Sequence, residues 1–231
     1  MRRMLHRTFL MICLAALVTA CAHNAGEGAQ KSELELIKTI REYVALKRAP
    51  KQTRPPLTRA MLDTVPNSYI EVTIEETGVF AYLTQLLIRR DALPGQIVVW
   101  QTEDQVTLSI RDGVLIATRG LRGDIISSNA LVADGGLQGP AGKGKRTYDI
   151  RSGDGASHKL EVECSIQDYG IEIIEIVERK NTTRLLKEKC VGSLGRFENE
   201  YWVDSKSGLV WQSRQWSGPT TGYLRIRRLT K

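Results

Sequence analysis

Few residues of this 231-residue chain could do chemistry. Histidine occurs only at His6, His23 and His158. A Ser–His or Cys–His nucleophile, or a zinc site, needs an imidazole in the folded body. Only His158 is placed there, after a Gly-Ala-Ser turn, and it reads as an exposed loop histidine. Gly139-Pro-Ala-Gly-Lys-Gly144-Lys145 has the GxxxxGK spacing of a phosphate-cradling loop. The next residue is Arg146, where Ser or Thr should hold magnesium, and no strand–loop–helix pattern surrounds it. It therefore reads as a solvated loop. Glu161, Glu163, Glu172, Glu175 and Glu200 could supply the two acids, roughly 5–9.5 Å apart, that glycoside hydrolysis needs. Most sit at alternating positions of strand-like segments, which suits a solvated sheet face instead. The tryptophans are Trp100, Trp202, Trp211 and Trp216. Indole rings stack on sugar C–H faces, so Trp100, Trp211, Arg214 and Trp216 form a candidate glycan or partner contact. Trp211 and Trp216 have opposite strand parity, and core packing is the competing reading. No catalytic residue and no metal ligand is assigned.

The cysteines carry more information. Arg2, Arg3, His6 and Arg7 precede an apolar run from Phe9 to Val18, then Thr19-Ala20-Cys21. This is the layout of an export signal: a basic start, a short apolar stretch and a small-residue cleavage site. The run is too short for a spanning helix of ~20 residues. Leu17-Val18-Thr19-Ala20-Cys21 resembles a bacterial lipobox, which implies cleavage before Cys21 and acylation of its thiol. The lipid, diacylglyceryl plus N-acyl, would be the only attached group, and no cofactor is expected. Each buried methylene adds ~0.8 kcal/mol, so several chains make a near-permanent anchor. Ala22, in place of Asp, implies by resemblance to enterobacterial lipoproteins an outer-membrane destination. Cys13 leaves with the leader. Cys164 and Cys190 remain, an even pair in an oxidising compartment, and are expected to form a disulfide. The spacing is not CxxC and no histidine is near, which disfavours a redox pair or a metal site.

Removing residues 1–20 takes away Arg2, Arg3 and Arg7 and no acid. The 33 basic and 26 acidic residues become 30 and 26, and the net charge falls from +7 to +4. Much of the basicity belongs to the leader, so a nucleic-acid role loses its main support. Residues 1–20 are read as signal peptide, 21–30 as a flexible tether and 31–231 as one β-rich periplasmic domain.

Several elements must position these residues. Ser32 and Glu35 make a capping box before a helix reaching about Lys47. A second short helix is expected at Thr58–Asp63. From Ser68 the chain reads as strands. Ile70, Val72 and Ile74 alternate with polar residues, and a long strand carries Phe80 to Arg90. Val106–Arg111 and Val114–Thr118 flank Asp112-Gly113, the strongest hairpin signal in the chain. A short helix is expected around Ser127–Val132, and Gly135–Lys145 as a glycine-rich loop. Strands then recur at 146–151, 159–167, 171–178, 182–190, 197–203, 209–215 and 223–229. Turns are expected at Asp168-Tyr169-Gly170 and Lys180-Asn181, among others. This rhythm predicts a mainly β protein, an antiparallel β-sandwich or half-barrel of about 10–12 strands with an N-terminal helix and short helices.

Tyr201-Trp-Val-Asp-Ser-Lys-Ser-Gly-Leu-Val-Trp-Gln-Ser-Arg-Gln-Trp216, Ala92-Leu-Pro-Gly-Gln-Ile-Val-Val-Trp100 and Asp112-Gly-Val-Leu-Ile-Ala-Thr-Arg-Gly-Leu121 are distinctive. With the lipobox they resemble the YjbF/GfcB family of enterobacterial group 4 capsule and exopolysaccharide lipoproteins. The resemblance implies an outer-membrane lipoprotein facing the periplasm. Such a protein would assist capsule or exopolysaccharide assembly or secretion by binding export proteins or the polysaccharide. It implies no catalytic residues, and only Cys21 inherits a defined role. The alternatives are a glycan-acting hydrolase and a lipid or lipoprotein carrier.

Overall fold

The computed structural model describes residues 56–129, 141–151 and 155–230. The leader, Cys21, the tether and the expected helix at Ser32–Lys47 lie outside the described residues. Among the described residues one helix, α1 (Arg59–Thr64), precedes the strands. Its cap is Thr58, whose Oγ accepts from the Met61 amide at 3.2 Å. Twelve strands follow: β1 (Tyr69–Ile74), β2 (Phe80–Arg89), β3 (Ile97–Gln101), β4 (Thr107–Arg111), β5 (Val114–Arg119), β6 (Asp124–Ser128), β7 (Ala141–Arg151), β8 (Ser157–Ile176), β9 (Arg179–Gly192), β10 (Gly195–Asp204), β11 (Val210–Trp216) and β12 (Tyr223–Arg228). Among the described residues no helix is long and apolar enough to cross a membrane.

The strands form a single antiparallel sheet in the order β5-β4-β3-β2-β1-β12-β11-β10-β9-β8-β7-β6. Neighbours in sequence are neighbours in space, except that β1 pairs with β12, Ile70 opposite Arg228. The two end strands, β5 and β6, meet, so the strip curls into a nearly closed barrel and not into two packed sheets. Side chains fasten the seam. Thr118 Oγ1 donates to Asp124 Oδ1 at 2.8 Å and accepts from the Ile125 amide at 3.0 Å. A backbone amide at a sheet end needs a partner when water is excluded, and here a hydroxyl supplies it.

Alternation fills the interior. Ile70, Leu83, Leu108, Leu115, Ile125, Leu160, Val162, Leu186, Tyr201 and Leu224 are all buried in one core. A second cluster joins Leu62 of α1 to Ile174, Ile176, Trp211 and Leu229. The Arg59 guanidinium ties the helix down by donating to the carbonyls of Val177, Leu229 and Ile176. Asp112 and Gly113 both have positive φ, 44° and 94°, as a two-residue hairpin turn requires. A Cβ on Gly113 would sit 2.2 Å from Val210 Cγ2, so this turn and the start of β11 are in close contact.

Four expectations are corrected. The helix expected at Ser127–Val132 is displaced by β6, which ends at Ser128, because Asp124–Ser128 pairs with Tyr148–Arg151; residues 130–140 lie outside the described residues. The glycine-rich loop ends earlier than expected. Ala141–Lys145 is strand, because it pairs with Glu163–Gln167, and the phosphate-loop lookalike ends inside a sheet. Asp168-Tyr169-Gly170 is a β-bulge within one continuous 20-residue strand. Asp168 faces Leu186 and Ile171 faces Arg184, so one residue is extra. Finally, the chain reverses at Val177-Glu178, both with positive φ, and not at Lys180-Asn181. Burial of Ile174 and Ile176 beside α1 fixes that register.

Candidate functional site

Among the described residues a cavity of about 650 Å³ opens in the barrel beside the Asp112-Gly113 turn. This lies within the roughly 300–1,000 Å³ usual for ligand pockets. Its wall comes from inward residues of five strands: Ile70, Trp100, Ile110, Val210, Ile226 and Arg228. Its rim is the Asp112-Gly113 turn and the turn from Asp204 to Leu209.

The polar groups of the rim are already committed. Asp204 Oδ1 accepts from the amides of Lys206 and Ser207, and Oδ2 from the Trp211 indole at 3.1 Å. The Ser207 amide, with the Trp211 indole behind it, holds the Asp204 carboxyl down at about 2. Asp112 Oδ1 accepts from the Gln96 amide at 3.0 Å. Arg228 differs. Of the three arginines on β12, Arg225 pairs with Glu75 at 2.8 Å and Arg227 with Glu71 at 3.2 Å. Arg228 has the inward parity of Leu224 and Ile226. Its guanidinium lies 5.3 Å from the Trp100 ring centroid, and among the described residues it meets no carboxylate. Burial lowers its pKa from the ordinary arginine value.

A second polar set is sealed in the core beyond the cavity. Glu188 Oε2 accepts from Arg146 Nη1 at 2.9 Å, Asn199 Nδ2 at 2.7 Å and Tyr201 OH at 2.9 Å. Arg146 and Glu188 are 1% and 0% exposed. Gln215 reaches across from β11: its Oε1 accepts from the Leu115 amide and its Nε2 donates to the Gly113 carbonyl, both at 2.8 Å. This set fixes β5 to β11, and its side chains are buried. Burial lowers the Arg146 pKa, but the opposing Glu188 charge outweighs it and the net shift is upward.

Burial also pushes the Tyr148 phenol up to about 12 and the Tyr201 phenol well above its ordinary value. An unfolded chain ionises tyrosine near pH ~10. Above that pH it holds fewer protons than the folded chain, so stability falls as pH rises. Chemical denaturation followed from neutral into alkaline pH is expected to show this loss. Tyr148→Phe should make the decline shallower, and an identical slope would refute the assignment.

The structure disperses the sequence-chosen contact residues. Trp100 and Trp211 both border the cavity, but both are buried, at 1% and 6% exposure. Trp211 is the extra residue of a bulge, since Trp202 faces Gln212 and Val203 faces Val210. Arg214 lies elsewhere, paired with Glu75 at 2.7 Å and stacked 3.5 Å from the Tyr223 ring. Trp216 stacks on Phe197 with centroids 4.4 Å apart. Cys164 and Cys190 face each other on β8 and β9 and are joined as a disulfide. Glu188 lies beside them, within 4.8 Å. Both sulfurs are spent in the bond, so this trio offers no thiolate to a metal. Arg228, Arg146 and Glu188 are absent from the residues singled out by motif. Their signal was phase: each is a charge in step with an apolar stripe, Leu224-Ile226, Tyr148-Ile150 and Leu186-Cys190.

The sequence matches, over residues 33–229, the family described as group 4 capsule polysaccharide lipoprotein gfcB, YjbF. The fold is similar to the crystal structure of the hypothetical lipoprotein YmcC from Escherichia coli K12. The TM-score is 0.67 and the identity 18%, with 76% of this chain and 89% of that chain covered. No curated protein matches the sequence.

Proposed function

We propose, on the premise that this chain belongs to the YjbF family of group 4 capsule polysaccharide lipoproteins, that it assists capsule or exopolysaccharide assembly or secretion from the outer membrane. Acyl chains on Cys21 hold it at the inner leaflet, facing the periplasm. The barrel acts by binding polysaccharide or an export protein, and the chemistry is done by those partners. The family match, which spans nearly the whole body of the chain, carries this reading. The half-enclosed cavity supports it, because a domain that binds needs a concave surface with polar and apolar walls.

Deleting the gene is expected to lower surface polysaccharide under conditions that induce it. The wild-type gene should restore the polymer and Cys21→Ala should not, because a protein without its anchor is lost from the membrane. Unchanged polysaccharide in the deletion strain overturns the role. Full restoration by Cys21→Ala overturns the need for the anchor.

A further inference from the structure

We propose that the barrel cavity is a binding site for a carboxylate-bearing sugar unit, a hexuronate, with Arg228 receiving the carboxylate. The choice of a sugar rests on the polysaccharide role proposed above; the anion site itself rests on the geometry. Transfer of a cation out of water without a counter-charge is costly. Arg225 and Arg227 avoid that cost through Glu75 and Glu71. Arg228 does not, although it stands on the same strand and lines a cavity of about 650 Å³. Its guanidinium lies 5.3 Å from the Trp100 ring centroid, and among the described residues its donors have no acceptor partner. A planar fork of donors beside open space is the arrangement that takes a carboxylate in two parallel bonds.

The remaining walls suit the body of a sugar. Ile110, Val210 and Ile226 present apolar surface to ring C–H groups. Gln96, Gln212 and Asp112 stand at the rim, where polar groups can meet hydroxyls. The two rim acids do not neutralise Arg228, because neither lies within ion-pair distance of it and Asp204 is saturated by its own turn.

The test uses the whole mature chain carrying Cys21→Ser, so that it is soluble without lipid. Trigalacturonate, maltotriose, inorganic phosphate and oleate are each titrated by calorimetry. Trigalacturonate is expected to bind saturably, with maltotriose weaker by about tenfold or more, the usual worth of a charged hydrogen bond. Arg228→Gln should lose about the same factor and Arg228→Lys less of it. Arg228→Gln should melt no lower than the parent, since it removes an unpaired charge. Val98→Phe, which fills the cavity from its wall, should abolish binding without touching Arg228. Phosphate binding as tightly as the uronate, or oleate binding more tightly, overturns the sugar assignment. No saturable binding of any probe overturns the site. That result leaves the gene-deletion outcome untouched, so the two failures are distinguishable.

Discussion

Glu188→Ala is expected to cost about 3–5 kcal/mol of folding stability, the range for removing one partner of a buried ion pair. One oxygen of Glu188 holds three donors, from Arg146, Asn199 and Tyr201. Without it the Arg146 charge stays in the barrel core with no anion. Arg146 also donates to Ser128 Oγ, to the Asn129 carbonyl and to the Leu115 carbonyl, so β6 and β5 loosen with it. Glu188→Gln keeps the shape but not the charge, and should also destabilise. Urea unfolding of the soluble mature chain measures both. A loss under about 1 kcal/mol, the ordinary cost of a point substitution, would sink the claim that this pair organises the core.

Reducing the Cys164–Cys190 disulfide, or replacing both cysteines by alanine, is expected to lower stability by ~3 kcal/mol. The bond closes a loop with a sequence separation of 26. In the chain-entropy account such a crosslink restricts the unfolded ensemble by about that amount. The loop it closes is the β8–β9 hairpin, the longest in the barrel, whose far end packs on α1. A denaturation midpoint that does not move on reduction would refute the prediction. The crosslink lies within 4.8 Å of Glu188. Removing both should therefore cost something other than the sum of the two.

Much of the fold was legible because strands announce themselves by alternation and by turn chemistry. Ile70-Val72 and Leu108-Ile110 are inward as their parity says, and Asp112-Gly113 turns as its residue types demand. The disulfide followed from the even cysteine pair. What misled was local chemistry with two structural uses. Asp168-Tyr169-Gly170 has the hydrogen bond of a turn, Gly170 amide to Asp168 Oδ1 at 2.8 Å, and the positive φ at Gly170. The long partner strand β9 absorbs that kink as a bulge. The same holds for Trp211: parity alone cannot foresee the extra residue that turns it out of alternation. The candidate site was less legible still. Arg228 and Trp100 are 128 positions apart, and only the pairing of β1 with β12 brings their strands into one stretch of sheet. Charged residues in step with apolar ones were the available clue, and it was outweighed by the surface habit of arginine and glutamate.

The pairing of β1 with β12 has a consequence for timing. The first strand of the barrel waits for the last, and β5 waits for the amide of Gln215, one hundred residues downstream of the Leu115 amide it receives. A chain that crosses the inner membrane unfolded, leading end first, cannot finish this barrel until nearly all of it has been delivered. Contacts between distant parts of the sequence also make closure slow. The anchor proposed at Cys21 would be ready while the body is still arriving, so folding would then be completed beside the bilayer by a chain already held there.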